Sequence, residues 1–190
     1  MYLFFDTETS DLPKRWNAPV SDLRNWPRLV QIAWITCDSA QHSPEPEVHL
    51  IRPEGFTISS GAFQRHGIST QFAIDNGVPL KSVLDAFFIA VQTADVLVGH
   101  NFAFDANIVG AEFIRAGTIN LIPTKASQCT MKGATDFCKL PGRIGFKWPT
   151  LTELHQKLFK TEFDDSHDAA ADSLACMKCF FRLKELRVMP

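Results

Sequence analysis

The sequence predicts an α/β fold, a mixed five-stranded sheet with helices covering it. Three observations carry this: short apolar runs open the chain, later ones alternate with amphipathic helices, and no linker, repeat or low-complexity stretch divides them. With 190 residues, 45% of them hydrophobic, the chain suits one domain over residues 1–190 with a sizeable core. Sixteen Phe and four Trp against one Tyr make that core strongly aromatic.

Residues 2–6 are continuously apolar up to Asp6, as expected of a strand buried on both faces. Residues 28–37 read as a second strand. Residues 47–52, after Pro44 and Pro46, read as a third, paired with the second as a hairpin. The intervening loop, 11–27, holds Pro13, Trp16, Pro19, Trp26 and Pro27, and loops of that length are more often functional than idle. Pro79 opens a helix over 80–93, with Val83, Phe87 and Val91 at i, i+4 and i+8. A strand at 95–99, a helix at 103–116 stopping at Gly117, and a strand at 124–129 follow. Pro149 and Thr150 suit the start of a helix at 150–159, and the last helix runs from about 167 to 187.

The net charge of −2 argues against tight binding of duplex through phosphate contacts alone. It does not argue against an enzyme that grips phosphates through bound cations. Residues 118–150 carry Lys125, Lys132, Lys139, Arg143 and Lys147 against Asp136, whereas 161–172 carry Glu162, Asp164, Asp165, Asp168 and Asp172 with no Lys or Arg. A basic surface beside an acidic pocket would produce that pattern; so would two solvated faces. Five cysteines without a framework fit thiols in a reducing cytosol, so a cytoplasmic location is expected. No apolar run approaches the ~20 residues of a membrane span. A signal peptide is not expected either, because its cleavage would remove Asp6.

Asp6 and Glu8 stand two apart on a strand and so point to one face. Alone, such a pair is equally a strand end reaching solvent. Asp172 leads a seam of Cys176, Cys179, Leu183 and Leu186 at steps of four and three, which puts a carboxylate on a core-facing stripe. A helix dipole offers only about 0.3–1 kcal/mol there, too little to offset burial, so a cation is expected. His167 precedes Asp172 by five, about 140° around a helix. The two converge only if His167 lies at or before the first turn, near the good N-cap types Asp165 and Ser166. Asp105 lies in the first turn of its helix, followed by Val109 and Phe113. Three segments each deliver an acid from the end of a core element. Four carboxylates can hold two Mg²⁺ or Mn²⁺ ions roughly 3.5–4 Å apart, one activating water and the other stabilising a leaving oxygen. His167 suits the general base, with activity expected to fall as pH drops through about 6.5.

The set Asp6/Glu8, Asp105 and His167/Asp172 resembles the DEDDh exonucleases, the family that includes the epsilon proofreading subunits of bacterial DNA polymerase III. The resemblance covers about residues 2–185. It implies a ribonuclease H-like fold and removal of nucleoside 5′-monophosphates from the 3′ end of single-stranded nucleic acid, DNA before RNA. It also implies metal ligation by Asp6, Glu8, Asp105 and Asp172, with His167 as base and the segment Thr7–Thr9 cradling the terminal nucleotide. Where the family often has Thr-Gly-Leu, this chain has Ser10-Asp11-Leu12. The partner implied is a 3′ end, with a polymerase or other replication or repair protein beside it; the short tail after the last helix weakens the polymerase expectation. A catalytically silent nucleic-acid- or polymerase-binding module and an exoribonuclease are the alternatives.

Other segments are less specific. Residues 141–149, with Arg143, Lys147 and Trp148, suit single strands by mixing cations and aromatics, although Trp148 reads equally as a core anchor. Trp16 and Trp26 invite the same two readings. His66, before Gly67 and Ile68, resembles a family loop near the substrate, against a capping or surface role. Asn101 and His100 precede Asp105 and are expected to order its loop. Cys176 and Cys179 read as small core residues rather than half a zinc site.

Overall fold

The structure is a computed structural model that describes residues 1–38, 45–161, 163 and 167–190. Five strands form one sheet: β1 (Tyr2–Thr9), β2 (Leu29–Cys37), β3 (Glu47–Leu50), β4 (Val96–Gly99) and β5 (Ala126–Cys129). Their order is β3-β2-β1-β4-β5. β2 runs antiparallel to both β1 and β3, while β4 and β5 run parallel to β1. The helices are α1 (Ser60–His66), α2 (Thr70–Asn76), α3 (Leu80–Thr93), α4 (Phe102–Arg115), α5 (Thr130–Gly133), α6 (Thr135–Cys138), α7 (Leu151–Phe159) and α8 (Ala169–Glu185).

Strand alternation divides the core. Leu3 and Phe5 of β1 face α3 and α4, where Phe87, Val109 and Phe113 meet them with Trp34. Phe4 faces the other way, onto Cys176, Cys179, Phe180 and Leu183 of α8 and Leu154 of α7. Phe5 and Phe87 meet edge to face at 5.2 Å, and Phe4 and Phe180 at 5.4 Å. Deleting any of these buried rings would cost about 3–5 kcal/mol. β1 is therefore the buried central strand that its apolar run predicts, and it continues three residues beyond Asp6.

The predicted elements lie where expected to within a few residues. α3 spans 80–93 with Pro79 at its cap, and Thr150 and Glu153 form a capping box on α7. The α8 seam is shorter than predicted. Leu183 is buried, but Leu186 lies past the helix and is exposed, because the chain turns there and returns Met189 to the core. Asp165 and Ser166 lie outside the described residues; the N-cap is Asp168, whose side chain accepts from the N–H groups of Ala170 and Ala171. Glu162 and Asp164 also lie outside them. Four short helices, α1, α2, α5 and α6, are additional to the prediction. Among the described residues, no helix is long and apolar enough to cross a membrane.

Candidate active site

The site forms at the carboxyl end of β1, where α8 starts on one face of the sheet and α4 on the other. Asp6 and Glu8 share the side of Phe4 and meet Asp172 there. One carboxylate oxygen from each of the three lies within 4.8 Å of the others. A register shift between Glu8 and Thr9 marks the end of β1's pairing with β2, the kind of irregularity that re-aims side chains beside a site.

Asp105 arrives from the opposite face and stands outside that tight group. Thr7 points toward it: the Thr7 amide (3.0 Å) and hydroxyl (2.7 Å) both donate to Asp105 Oδ1. At 2% exposure Asp105 is still close enough to Asp6 to be its strongest charged neighbour. The bend that delivers it is built locally. A Cβ added to Gly99 would lie 3.2 Å from Phe102 Cα, so a glycine suits that turn. Asn101 caps α4 in the left-handed conformation (φ 68°). The His100 ring ties this loop to Thr130 (2.9 Å) and to the Pro149 carbonyl (3.0 Å). Burial lowers His100 to about 4, so it is neutral; its Nε2–H donates to Pro149 and Nδ1 accepts from the Thr130 hydroxyl.

The carboxylates repel one another in a poorly solvated place. Burial first, then Asp105, Asp172 and Glu8, raise Asp6 well above the usual carboxylate range. Burial and then Asp172 push Glu8 to about 8; burial lifts Asp105 to about 7 and Asp172 to about 6. Asp172 Oδ2 accepts the His167 N–H at 3.2 Å, whereas its Oδ1 is buried without a partner among the described residues. An orphaned carboxylate oxygen beside two other acids fits a hard divalent cation, which takes oxygen ligands.

His167 solves its angular problem by leaving the helix. It sits two residues before α8 with φ 80°, a left-handed conformation, and its amide is clamped by Asp172. Burial, then Arg65 and His66, lower its pKa below 6.5. The acid limb of a His167-dependent activity therefore lies below the value near 6.5 that the sequence predicts.

The remaining predicted contacts divide. Thr7 is spent on Asp105, and the Thr9 hydroxyl donates to Asp11 O (2.7 Å), so both side chains are engaged within the protein. Trp148 is 60% exposed beside Lys132, which rules out the core-anchor reading. Lys147 pairs with Glu153, and Arg143 is exposed. Trp16, also 60% exposed, packs on Phe104 next to Asp105, whereas Trp26 is buried with its indole N–H on Pro19 O. Cys176 and Cys179 are buried free thiols, as predicted. His66, at the end of α1, bonds Thr9 O at 3.2 Å, closer to the site than a surface histidine. Sequence reasoning missed Arg65, the cation whose charge reaches Asp6, Glu8, Asp172 and His167. The Ser59 cap and Gly67 stop mark its helix but not the residue, because α1 has no buried residue to set a face.

The chain is similar in fold to E. coli Exonuclease I. Against its complex with a dA16 oligonucleotide the TM-score is 0.75 at 21% identity, covering 98% of this chain and 41% of that one. Against the zinc-bound complex with single-stranded DNA it is 0.74 at 22%, covering 98% and 40%. The chain thus spans about two fifths of the length of these proteins. No curated protein sequence matches it. The RNase T exonuclease family model matches residues 3–180, nearly all of β1 through α8. The chain belongs to this exonuclease family, of the DEDD type within the ribonuclease H-like superfamily.

Proposed function

We propose that this chain is one exonuclease domain that removes nucleoside 5′-monophosphates from the 3′ ends of single strands, DNA before RNA, with two Mg²⁺ or Mn²⁺ ions. The observation that carries the reading is the buried Asp172 Oδ1, without a partner among the described residues, within a group completed by Asp6 and Glu8. These three would hold the cations together with Asp105, which Thr7 braces beside them. When bound, such ions neutralise the phosphate and lower the pKa of water. The family and the oligonucleotide complexes of its fold relatives support a nucleic-acid substrate.

The residues then divide the work. His167, neutral at pH 7, takes a proton from water as its oxygen attacks the terminal phosphorus. The bond from phosphorus to the 3′ oxygen of the preceding nucleotide breaks, and that oxygen takes up a proton to become the new 3′ hydroxyl. The departing nucleotide keeps the phosphate at its 5′ position. The Asp172 clamp on the His167 amide holds the base's backbone in place. Exposed Trp16 on Phe104 and exposed Trp148 offer faces on which unpaired bases stack. Five free thiols support a reducing compartment, the cytoplasm.

The test is a gel of 5′-labelled DNA and RNA strands with Mn²⁺, with EDTA, and with Asp105→Ala. A ladder shortening from the 3′ end, abolished by EDTA, is expected. Binding without cleavage by the intact protein would instead identify a catalytically silent module.

A further inference from the structure

The 11–27 loop is held in shape by polar groups, and the residue it presents is aromatic and exposed. Asn25, only 4% exposed, grips the backbone of Arg15 from both sides: its Oδ1 accepts the Arg15 amide at 2.8 Å and its Nδ2 donates to the Arg15 carbonyl at 3.0 Å. The main chain of Asn25 adds two bonds, accepting the Lys14 amide at 3.3 Å and donating to Asp22 O at 2.9 Å. Trp26 holds Pro19 O, and Arg115 holds the Leu23 and Trp26 carbonyls. The residue after the clamped Arg15 is Trp16. It stays 60% exposed, so it adds little to the core, and it leans on Phe104 with ring centroids 5.7 Å apart. Phe104 directly precedes Asp105 in the first turn of α4, and neighbouring Cα atoms lie about 3.8 Å apart. The loop therefore spends a buried amide, costly to desolvate unless bonded, on fixing the backbone beside a tryptophan that faces water. The fixed ring stands next to an acid of the site.

We infer that Trp16 is the specificity-determining shelf of this site, stacking on a nucleobase that flanks the scissile linkage, and that Asn25 is the positioning residue that holds it there. The inference deepens the reading of the site as a nuclease and rests on it. A phosphate seated among the acids leaves its two bases to lie beyond the carboxylates, and the Trp16–Phe104 pair is an aromatic surface within reach of them. Every base has a π face, so the shelf accepts any of the four. What it requires is a base that is present and not covered by a neighbour. The substrate class is a single-stranded or frayed end that carries its bases; an abasic end is a poor substrate.

The experiment compares the unaltered chain with Trp16→Ala, Trp16→Phe and Asn25→Ala in single-turnover cleavage with Mn²⁺. The 5′-labelled oligothymidylates carry all their bases, or lack one at either of the two 3′-terminal positions. Removing a flanking base should slow the unaltered chain by about 10–100-fold, the worth of one base stack. Trp16→Ala should slow the complete strand by a similar factor and erase the difference between complete and abasic strands. Trp16→Phe should keep most of that difference, and Asn25→Ala should shrink it although Trp16 is still present. An unaltered chain indifferent to the missing base would overturn the inference. So would equal slowing of complete and abasic strands by Trp16→Ala and Asn25→Ala, which would mark a structural role. A second measurement needs no cleavage. In a Trp148→Phe, His167→Asn chain the other indoles, Trp26 and Trp34, are buried, so emission that oligothymidylate quenches in Mg²⁺ belongs to Trp16. Quenching by the complete strand and not by the abasic one is expected; quenching by neither would overturn the shelf. If this quenching is seen while the unaltered chain fails to cleave, the nuclease reading falls and the shelf stands.

Discussion

Helix α4 carries two buried acids seven residues apart, and they are treated in opposite ways. Glu112 is fully buried, and its Oε1 takes Arg28 Nε at 2.8 Å, the Leu29 amide at 3.0 Å and Arg115 at 3.1 Å. Arg115 goes on to bond the Leu23 and Trp26 carbonyls, which fastens the 11–27 loop to the helix. Asp105, two turns earlier, receives a side chain from Thr7 alone among the described residues and shares its surroundings with three further carboxylates. Protein cations occupy one oxygen of Glu112, while its Oε2 is buried with no partner among the described residues. At the other end of the helix the acids Asp6, Glu8, Asp105 and Asp172 form no ion pair among the described residues. A closed cluster holds a loop; an open one waits for ions from solution.

The largest effect should come from breaking that symmetry in both directions. Glu112→Ala leaves Arg115 half-buried without its acid, and breaking such a pair typically costs 3–5 kcal/mol. Asp6→Asn removes one of four mutually repelling groups and should raise, not lower, the melting temperature in EDTA while abolishing cleavage. Denaturant unfolding of both variants in EDTA reads the contrast directly. Destabilisation by Asp6→Asn of the same size as Glu112→Ala would mean that the two acidic sites are alike.

His167 sharpens the contrast through the backbone. Its left-handed conformation costs an ordinary residue about 1–2 kcal/mol, a cost that asparagine tolerates well. His167→Asn should therefore keep the fold and lose roughly 10²-fold or more of the cleavage rate, the usual worth of a positioned base. The pH profile of the unaltered enzyme should decline on the acid side below 6.5, since burial and Arg65 disfavour the imidazolium. An acid limb that persists unchanged in His167→Asn would assign the proton to another group.

Metal and pH test the open cluster together. A carboxylate whose folded pKa is raised contributes stability that is complete below its unfolded value and is lost as pH rises through the folded one. With Glu8 at about 8 and Asp105 at about 7, the metal-free protein should lose stability between pH 5 and 8, by up to roughly 6 kcal/mol. Mn²⁺ should restore it, and should raise the melting temperature more at pH 8 than at pH 5, where protons occupy the ligands. Equal metal shifts at both pH values would contradict that competition.

Much of this arrangement was legible in the residues. The parity of Asp6 and Glu8 on an apolar strand, and Asp172 at the head of a helical seam, follow from periods of two and 3.6 that burial imposes. The 140° separation of His167 from Asp172 predicted that His167 must leave the helix. Arg65 was illegible for the same reason that made the others visible: α1 has no buried residue, so no apolar period announces it. The bond from Thr7 to Asp105 was hidden because its partner comes from the opposite face of the sheet, a crossing that no local pattern encodes. Trp148 was ambiguous because an aromatic residue before a capped helix looks the same in sequence whether it packs inward or faces solvent.

Thr7 accordingly supplies the smallest and most specific prediction. Its amide and hydroxyl hold the same oxygen of Asp105, so Thr7→Val removes one bond, keeps the other and preserves the strand-forming shape. A hydrogen bond to a charged group contributes about 1.5–3 kcal/mol when its partner is lost, and the remaining amide bond holds the effect to the lower end. The hydroxyl favours the ionised carboxylate, so its loss should raise the Asp105 pKa further and weaken cation binding most near neutral pH. Calorimetric titration with Mn²⁺ at pH 7 should then show roughly tenfold weaker binding, and at pH 8.5, with the proton gone, a smaller deficit. Equal weakening at both would mean that Thr7 only positions Asp105; a deficit that shrinks with pH would mean that it also keeps Asp105 ionised.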